Sequence, residues 1–284
     1  MIVYYALGGG LGHITRAQAI VHTLGRGEKV RLVCSGSASR GILLPCQFEL
    51  IEAPAQLARG PKAHRRWLVS LLEGVKALYV DAFVGGLAGE LCGFECNSDL
   101  ALFHVARRLR WDRYAPRLSG PSPRYERCFV VEELEPAHAR YVEAASDALV
   151  ALALEDYPRP LDQRARQILD AGDPFSLLVH SGSAAEICEL IAFACEVRRA
   201  ERDESRLYLV APARPDELPD GVHYSAIYPA QPLFAAAHRV FSACGFNLMR
   251  QMRPHRHKHR FLPFARSLDD QYARARLARQ ELGG

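Results

Sequence analysis

The sequence contains no apolar run of about 20 residues that could cross a membrane, and no signal peptide precedes its first apolar segment. It also lacks low-complexity tracts, heptad patterns and internal repeats. These absences exclude membrane-spanning, fibrous and repeat architectures. The eight cysteines are scattered through apolar segments. We therefore expect a reduced, cytoplasmic, globular protein.

A large excess of charge of one sign is also missing. The 36 Lys and Arg residues against 32 Asp and Glu residues give a formal net charge of +4. Much of the excess lies in one segment, "RQMRPHRHKHRFLPFAR" (250–266). A mild, local positive charge does not favour general nucleic-acid binding, so we expect no nucleic-acid partner.

The cysteines lack the spacing of a metal site. Cys92 and Cys96 lie close together in "CGFEC", and Cys188 and Cys195 are two helical turns apart. Neither pair has zinc spacing or a histidine partner at a suitable distance. We interpret these residues as buried small hydrophobic side chains.

Three histidines lie at alternate positions in the basic segment 250–266. If extended, His255, His257 and His259 would share one face, and three imidazoles can bind zinc. The arginine and lysine residues between them would repel a cation. We therefore favour a phosphate-binding or solvated loop over a metal site, and expect no bound metal.

The apolar segments that are present alternate with helical patterns, over a length that favours two domains. Strands that are uniformly apolar are covered on both faces, which is typical of a parallel, doubly wound sheet. "EDYPRPLDQ" (155–163) carries two prolines and is the best linker. We predict two Rossmann-like α/β lobes, covering residues 1–155 and 163–284.

The first lobe begins with a glycine-rich turn, "GGGLGH", between an apolar run and a helical pattern. No Lys-Ser/Thr pair follows Gly12, which excludes a P-loop. His13 stands where a dinucleotide fingerprint needs a third glycine, and "CSGSAS" ends the second strand without an acidic residue. The turn is therefore an anion site of another kind or a plain turn with a helix-capping histidine.

Three further segments belong with this turn: "VHSGSAAEICELI", "AIYPAQPLFAAAHRVFSACGFNLMRQM" and "FLPFARSLDDQYARARLA". Together with "GGGLGHITRAQAI" they resemble the two-lobed (GT-B) glycosyltransferases. The resemblance is to family 28, the group around the enzyme that adds N-acetylglucosamine to the lipid-linked muramyl precursor of peptidoglycan. "HRHKHR" departs from the pattern of that family, which has G-x-P and an apolar strand there.

The resemblance implies two lobes with parallel sheets facing across a cleft, the first binding an acceptor and the second a nucleotide-sugar. It implies inverting transfer from a UDP-sugar, with no cofactor. The chain lacks a D-x-D stretch, so a divalent metal is not required. The acceptor stays open among lipid-linked, small-molecule and glycan classes, and a lipid-linked acceptor would bring peripheral membrane contact.

The resemblance also implies a donor site in the second lobe. The hydroxyl and N–H groups of Ser181, Gly182 and Ser183 would meet a diphosphate, although Ser183 is equally suited to cap a helix. Asp270 and Gln271 would bind sugar hydroxyls, unless Asp270 caps the last helix. The remaining donor-site candidates are Gly12, Gly245, Phe246, Asn247 and Gln251, the last at a position where the family typically has glutamate.

The first lobe supplies the catalytic candidates. His13 would accept a proton or bind phosphate, because its ordinary pKa suits either task. Asp81 ends the strand "ALYVD" and is expected to cap a helix opened by "FVGGLAGEL" or to act as a base. Arg16 would bind an anionic ligand or be solvated. Gly9 and Gly10 complete the phosphate or acceptor candidates.

Two alternatives to a transferase stay open at this point. One is a non-catalytic module that binds a nucleotide-sugar or a partner on the same fold, and the other is a nucleotide-sugar epimerase. The intact turn with His13 favours catalysis. The altered 250–266 segment favours its loss.

Overall fold

The chain forms two compact units in its computed structural model, which describes residues 1–8, 10–35, 44–54, 60–95 and 99–283. The first unit comprises Met1–Tyr157 and Ser267–Asp269, and the second comprises Pro158–Arg266 and Asp270–Gly284. Each unit contains its own β-sheet.

The first unit contains a seven-stranded sheet in which every neighbouring pair is parallel. The spatial order is β3-β2-β1-β4-β5-β6-β7. The central strands are buried along their whole length or nearly so, because apolar side chains project from both faces of the sheet. The strands are β1 (Ile2–Ala6), β2 (Val30–Cys34), β3 (Phe48–Glu52), β4 (Ala77–Asp81), β5 (Ala101–Ala106), β6 (Arg127–Val130) and β7 (Leu149–Ala151).

The second unit contains a five-stranded parallel sheet in the order β10-β9-β8-β11-β12. The predicted fold class, two α/β lobes with parallel sheets, is thus confirmed. The strands are β8 (Phe175–Val179), β9 (Arg206–Val210), β10 (Val222–Ser225), β11 (Val240–Ala243) and β12 (His259–Leu262).

Helices connect the strands in both units. Apolar residues at helical spacing place Ile14, Ala17, Ile20 and Val21 of the first helix in the core. The helices are α1 (Leu11–Thr23), α2 (Pro61–Leu71), α3 (Trp111–Tyr114), α4 (Pro136–Ala144), α5 (Gln163–Asp170), α6 (Ala184–Glu201), α7 (Phe246–Gln251) and α8 (Gln271–Gly283). Among the described residues, none of these helices combines the length and apolar character needed to cross a bilayer.

The helix predicted to begin at "FVGGLAGEL" is wrong, because residues 83–91 form a series of buried turns. The Tyr114 hydroxyl accepts from the Gly85 N–H and donates to the Gly86 carbonyl, both at 2.8 Å. The buried Glu90 carboxylate accepts two backbone N–H groups of the same segment, at 3.1 and 2.7 Å. Gly86 has a φ of +84°, which a helix cannot accommodate.

The basic segment is built into the second unit instead of forming an extended row of histidines. Arg253–Lys258 forms a 3₁₀ helix, and His259 alone of the three histidines lies in strand β12. The Ser242 hydroxyl donates to the Ala243 carbonyl and so accepts from His259 Nε2, at 2.8 Å. His259 Nδ1 then accepts from Arg256 at 3.0 Å. The solvated-loop interpretation is therefore wrong for His259, which is 1% exposed.

We predict that acid destabilises the first unit, because this unit contains two buried histidines. Burial lowers the pKa of His104 to about 4 and that of His138 to about 3, whereas both titrate near 6.5 when unfolded. The unfolded chain therefore binds more protons below pH 6.5, so stability present above that pH is lost as the pH falls. Each histidine should contribute about 1.4 kcal/mol per pH unit to this loss.

The substitution His138→Phe should remove one of these contributions. Phenylalanine keeps a ring stacked on Trp111, which lies 4.5 Å from the His138 ring, and removes the titrating nitrogens. Urea unfolding between pH 4 and 6.5 should show a pH slope shallower by about 1.4 kcal/mol per unit than in the wild type. An unchanged slope would contradict the assignment of His138 as a buried neutral group.

Candidate functional site

The glycine turn after β1 places His13 in the first turn of α1. Gly8 has a φ of +148°, and a Cβ added there would lie 2.2 Å from His13 Nε2. Gly8 therefore allows the imidazole to pack directly against the turn. Gly10 occupies the N-cap position of α1 without a side-chain hydrogen bond, so the interpretation of His13 as a helix cap is wrong. Gly12 belongs to α1, and Gly9 lies outside the described residues.

Asp81 is the centre of a buried cluster of polar side chains. It ends β4, which pairs with β1 on the same sheet, and its side chain is fully buried. His13 Nδ1 lies 2.6 Å from Asp81 Oδ2, and Arg16 Nε donates to Oδ1 at 2.6 Å while Nη2 donates to Oδ2. The Tyr4 hydroxyl adds a hydrogen bond to Oδ1 at 3.0 Å.

The cluster fixes the protonation of both acid and base. Burial opposes the charge of Asp81, but Arg16 and His13 outweigh it and hold the pKa of Asp81 well below its usual range. Burial lowers the pKa of His13, against the opposing effect of Asp81. At neutral pH the carboxylate is ionised and the imidazole is neutral.

The distances also determine the tautomer of His13. Two unprotonated acceptors would repel each other at 2.6 Å, so the proton of the neutral imidazole lies on Nδ1 and is donated to Asp81. The lone pair is then on Nε2, on the side of the glycine turn. An ionised acid that orients a neutral histidine in this way creates a general base.

The structure corrects two expectations for these residues. Asp81 does not cap a helix, because the segment that follows it is not helical. Arg16 is not a solvated side chain, since it is 2% exposed and binds the Asp81 carboxylate. Sequence reasoning placed His13, Arg16 and Asp81 at one sheet edge and did not predict that they touch.

Sequence reasoning also missed two members of this neighbourhood. Tyr4 is one of two adjacent polar-tipped side chains, with Tyr5, in strand β1, and that pair is the signal that could have drawn attention to it. Arg107 follows β5, pairs with Asp269 and lowers the pKa of His13. Asp269 belongs to the Ser267–Asp269 segment of the first unit, and no sequence signal links it to Arg107.

The second unit presents an exposed turn after β8. Ser181, Gly182 and Ser183 are all exposed, and the Ser183 hydroxyl accepts from the Glu186 N–H at 3.3 Å as the N-cap of α6. The capping role expected as the alternative for Ser183 is therefore present. The turn is at the carboxyl end of a parallel strand, where ligands of α/β folds commonly bind.

The second glycine turn lies at the same edge, because β11 pairs with β8. Gly245 is the N-cap of α7, and its backbone has an ordinary φ of −69°. Phe246 and Asn247 follow it and are 7% and 6% exposed. Gln251 ends α7 and is partly buried. The structure thus brings these candidates and the β8 turn to one edge of the sheet.

Asp270 and Gln271 both have structural partners in the second unit. Asp270 Oδ1 accepts from the Ala273 N–H at 3.0 Å, so the capping role is present here too. Gln271 is 4% exposed, and its Oε1 accepts from the Phe264 N–H at 3.0 Å. Within the described parts of the chain, no group of three His, Cys, Asp or Glu residues could hold a metal ion.

Comparison with known proteins identifies the fold. No protein-family model and no curated protein sequence matches the chain. UGT2 of Phytolacca americana, complexed with UDP-2fluoro-glucose and pterostilbene, superposes with a TM-score of 0.60 at 16% identity, over 99% of this chain and 83% of that one.

Two further enzymes give similar values. The spinosyn forosaminyltransferase SpnP has a TM-score of 0.57 at 11% identity, over 98% of this chain and 83% of that one. The glycosyltransferase SsfS6 of Streptomyces sp. SF2575, complexed with thymidine diphosphate, has a TM-score of 0.57 at 12% identity, over 98% and 85%. These neighbours are glycosyltransferases of the GT-B fold, and the likeness establishes that this chain shares that fold.

Proposed function

We propose that the protein is a glycosyltransferase that moves a sugar from a nucleotide-sugar to an acceptor hydroxyl. The observation that carries the proposal is the 2.6 Å contact between His13 Nδ1 and Asp81, which leaves Nε2 as a base. A buried acid, a neutral histidine and a glycine turn at the carboxyl edge of a sheet suit proton abstraction. We assign the acceptor to the first lobe, 1–155, for this reason.

The donor is assigned to the second lobe, 163–284. Neighbours of the same fold are complexed with UDP-2fluoro-glucose and with thymidine diphosphate, which supports a nucleoside diphosphate sugar. We propose UDP as the nucleotide and place it near Ser183, Gly245 and Asn247. The resemblance of the sequence motifs to those of family 28 supports this choice, with Gln251 in place of the usual glutamate.

The chemistry follows from one base and a departing diphosphate. Nε2 of His13 takes the proton of the acceptor hydroxyl as its oxygen attacks the anomeric carbon. The bond from that carbon to the diphosphate breaks, and the diphosphate leaves with the bonding electrons. Attack from the face opposite the leaving group inverts the anomeric centre. Proton transfer of this kind contributes roughly a hundredfold or more to the rate.

We propose that the transfer needs no divalent metal. The negative charge of the leaving diphosphate would be met by backbone N–H groups of the Ser181–Ser183 turn at the start of α6. The acceptor is an alcohol of a lipid-linked compound, a small molecule or a glycan, since each offers the hydroxyl that the base requires.

Mass spectrometry of reactions with UDP- and TDP-sugars and a panel of acceptor alcohols tests the proposal. We expect a glycosylated acceptor and free nucleoside diphosphate, with the same yield after chelation by EDTA. A changed sugar on the donor in the absence of any acceptor would identify an epimerase. Activity restored only by an added divalent ion would contradict metal independence, and nucleotide binding without turnover would favour the non-catalytic module.

A further inference from the structure

We infer that Glu186 is a positioning residue for the Ser181–Ser183 turn. It acts through the two side chains that it binds, Arg266 and His180. The inference rests on the proposed function, in which this turn receives the diphosphate. Glu186 lies in the first turn of α6, His180 follows β8, and Arg266 follows β12. Three separate elements of the second unit therefore supply the network.

The Glu186 carboxylate is held from two sides. Its Oε2 accepts from Arg266 Nη2 at 2.7 Å, and its Oε1 accepts from Arg266 Nη1. His180 Nε2 lies 2.9 Å from the same Oε2. This bidentate pairing with arginine is a strong form of ion pair, because both carboxylate oxygens and both terminal guanidinium nitrogens are engaged.

The network lies directly against the turn. A Cβ added to Gly182 would lie 2.1 Å from Glu186 Oε2 and 2.3 Å from His180 Nε2. By contrast, a Cβ on Gly245 would meet no atom within 4 Å. The backbone at Gly182 therefore passes too close to these two side chains to carry a Cβ, and Glu186 in turn binds the guanidinium of Arg266.

One aromatic ring, that of Phe264, lies beside both partners of Glu186. The ring of Phe264 lies 5.7 Å from the His180 ring, and the Arg266 guanidinium lies 5.9 Å from the same ring. The Phe264 backbone is in turn fixed by Gln271. Gln271 thereby has a supporting role that does not require contact with a sugar.

The sequence "SAAE" would ordinarily form a capping box, in which the glutamate returns to the N–H of the capping serine. Here Glu186 instead binds Arg266 and His180. The hydrogen bonds from Arg266 and His180 hold the pKa of Glu186 at about 2, so the group is ionised and its charge is balanced by the arginine. A diphosphate at the turn then meets a fixed guanidinium without an unbalanced carboxylate.

Calorimetric titration of the full chain with UDP and with uridine, which lacks both phosphates, tests this inference. Glu186→Gln places an amide N–H against the guanidinium, so Arg266 is released. We expect a roughly tenfold weaker affinity for UDP and an affinity for uridine within twofold of the wild type. Glu189→Gln, an exposed glutamate on the same helix, is the matched control and should change neither.

A double-mutant cycle separates positioning from general loss of structure. Arg266→Gln should also weaken UDP binding about tenfold, and Arg266→Lys should recover part of it, since the charge is kept. The double variant Glu186→Gln/Arg266→Gln should be no weaker than Arg266→Gln, because Glu186 acts through the arginine. Equal weakening of UDP and uridine with a lower melting temperature would show a merely structural role and overturn the inference.

The outcomes distinguish this inference from the proposed function. Transfer activity with unchanged UDP affinity in Glu186→Gln would overturn the inference and leave the function standing. Selective loss of UDP affinity in a chain that transfers no sugar would support the inference and remove the function. A wild-type chain that binds neither UDP nor thymidine diphosphate would overturn both.

Discussion

The substitution His13→Ala should lower turnover by roughly a hundredfold or more, while UDP affinity stays within a few-fold of the wild type. Alanine removes the Nε2 base but leaves Asp81 paired with Arg16, so the charge balance of the cluster is kept. Steady-state rates and calorimetric titration of UDP measure the two quantities separately. We expect turnover to fall without a matching loss of UDP affinity, because the donor is placed in the second lobe and His13 lies in the first.

His22→Ala provides a control on the same helix. His22 lies in the last turn of α1, is partly exposed and makes a 4.0 Å contact with Glu155, so its loss should leave turnover unchanged. If His13→Ala retained wild-type turnover, His13 would be a structural residue of the buried cluster. If the variant lost UDP affinity in proportion to rate, the nucleotide would bind at the first turn instead of the second unit.

Asp81→Asn should destabilise the first unit by about 3–5 kcal/mol, because it leaves the buried guanidinium of Arg16 without a compensating charge. Arg16 is 2% exposed and depends on the Asp81 carboxylate for charge balance. Turnover should fall as well, since an amide does not hold the Nδ1–H tautomer of His13 as a carboxylate does. Urea unfolding gives the stability change.

An exposed aspartate serves as the control for Asp81. Asp112 is 68% exposed and pairs with Arg113 at 3.4 Å, so Asp112→Asn should cost less than about 0.5 kcal/mol. The double variant Asp81→Asn/Arg16→Met removes the unbalanced charge and should regain part of the lost stability. Equal stability of Asp81→Asn and wild type would contradict the described burial of the ion pair.

The two parallel sheets were predictable because their strands are uniformly apolar. The runs "IVYYAL" and "ALYVDA" contain β1 and β4, each with one residue more than the strand. The segment "AAEICELIAFACEVRRAE" forms α6, which begins directly after Ser183, a residue type that commonly starts helices. Local signals of this kind need no knowledge of distant residues.

The turns at 83–91 were predictable in part. Three glycines in nine residues, at positions 85, 86 and 89, are a local signal against a helix, and Glu90 accepts from N–H groups only two and three positions before it. The contacts with the Tyr114 hydroxyl span 28 and 29 positions and form only in the folded unit. The role of Asp81 could not be predicted because its partners lie 65 to 77 positions away in sequence.

The candidate site in the second unit was likewise predictable only in part. The sequence identified the turn at Ser181–Ser183, because glycine and serine follow an apolar strand and precede a helix. It did not identify Glu186 and Arg266 as partners, since "SAAE" has the pattern of a capping box and the arginine lies 80 positions away. The position of a turn is thus local information, whereas the groups that hold it are not.

The anomeric configuration of the transfer product tests the account most directly. Proton NMR of the product formed from an α-linked UDP-sugar, with an acceptor alcohol that mass spectrometry shows to be glycosylated, gives the configuration at the new bond. A single histidine base that drives direct displacement predicts the β-linked product, formed roughly a hundredfold or more slowly by His13→Ala. An α-linked product from the wild-type protein, or the β-linked product formed by His13→Ala at the wild-type rate, would contradict the account.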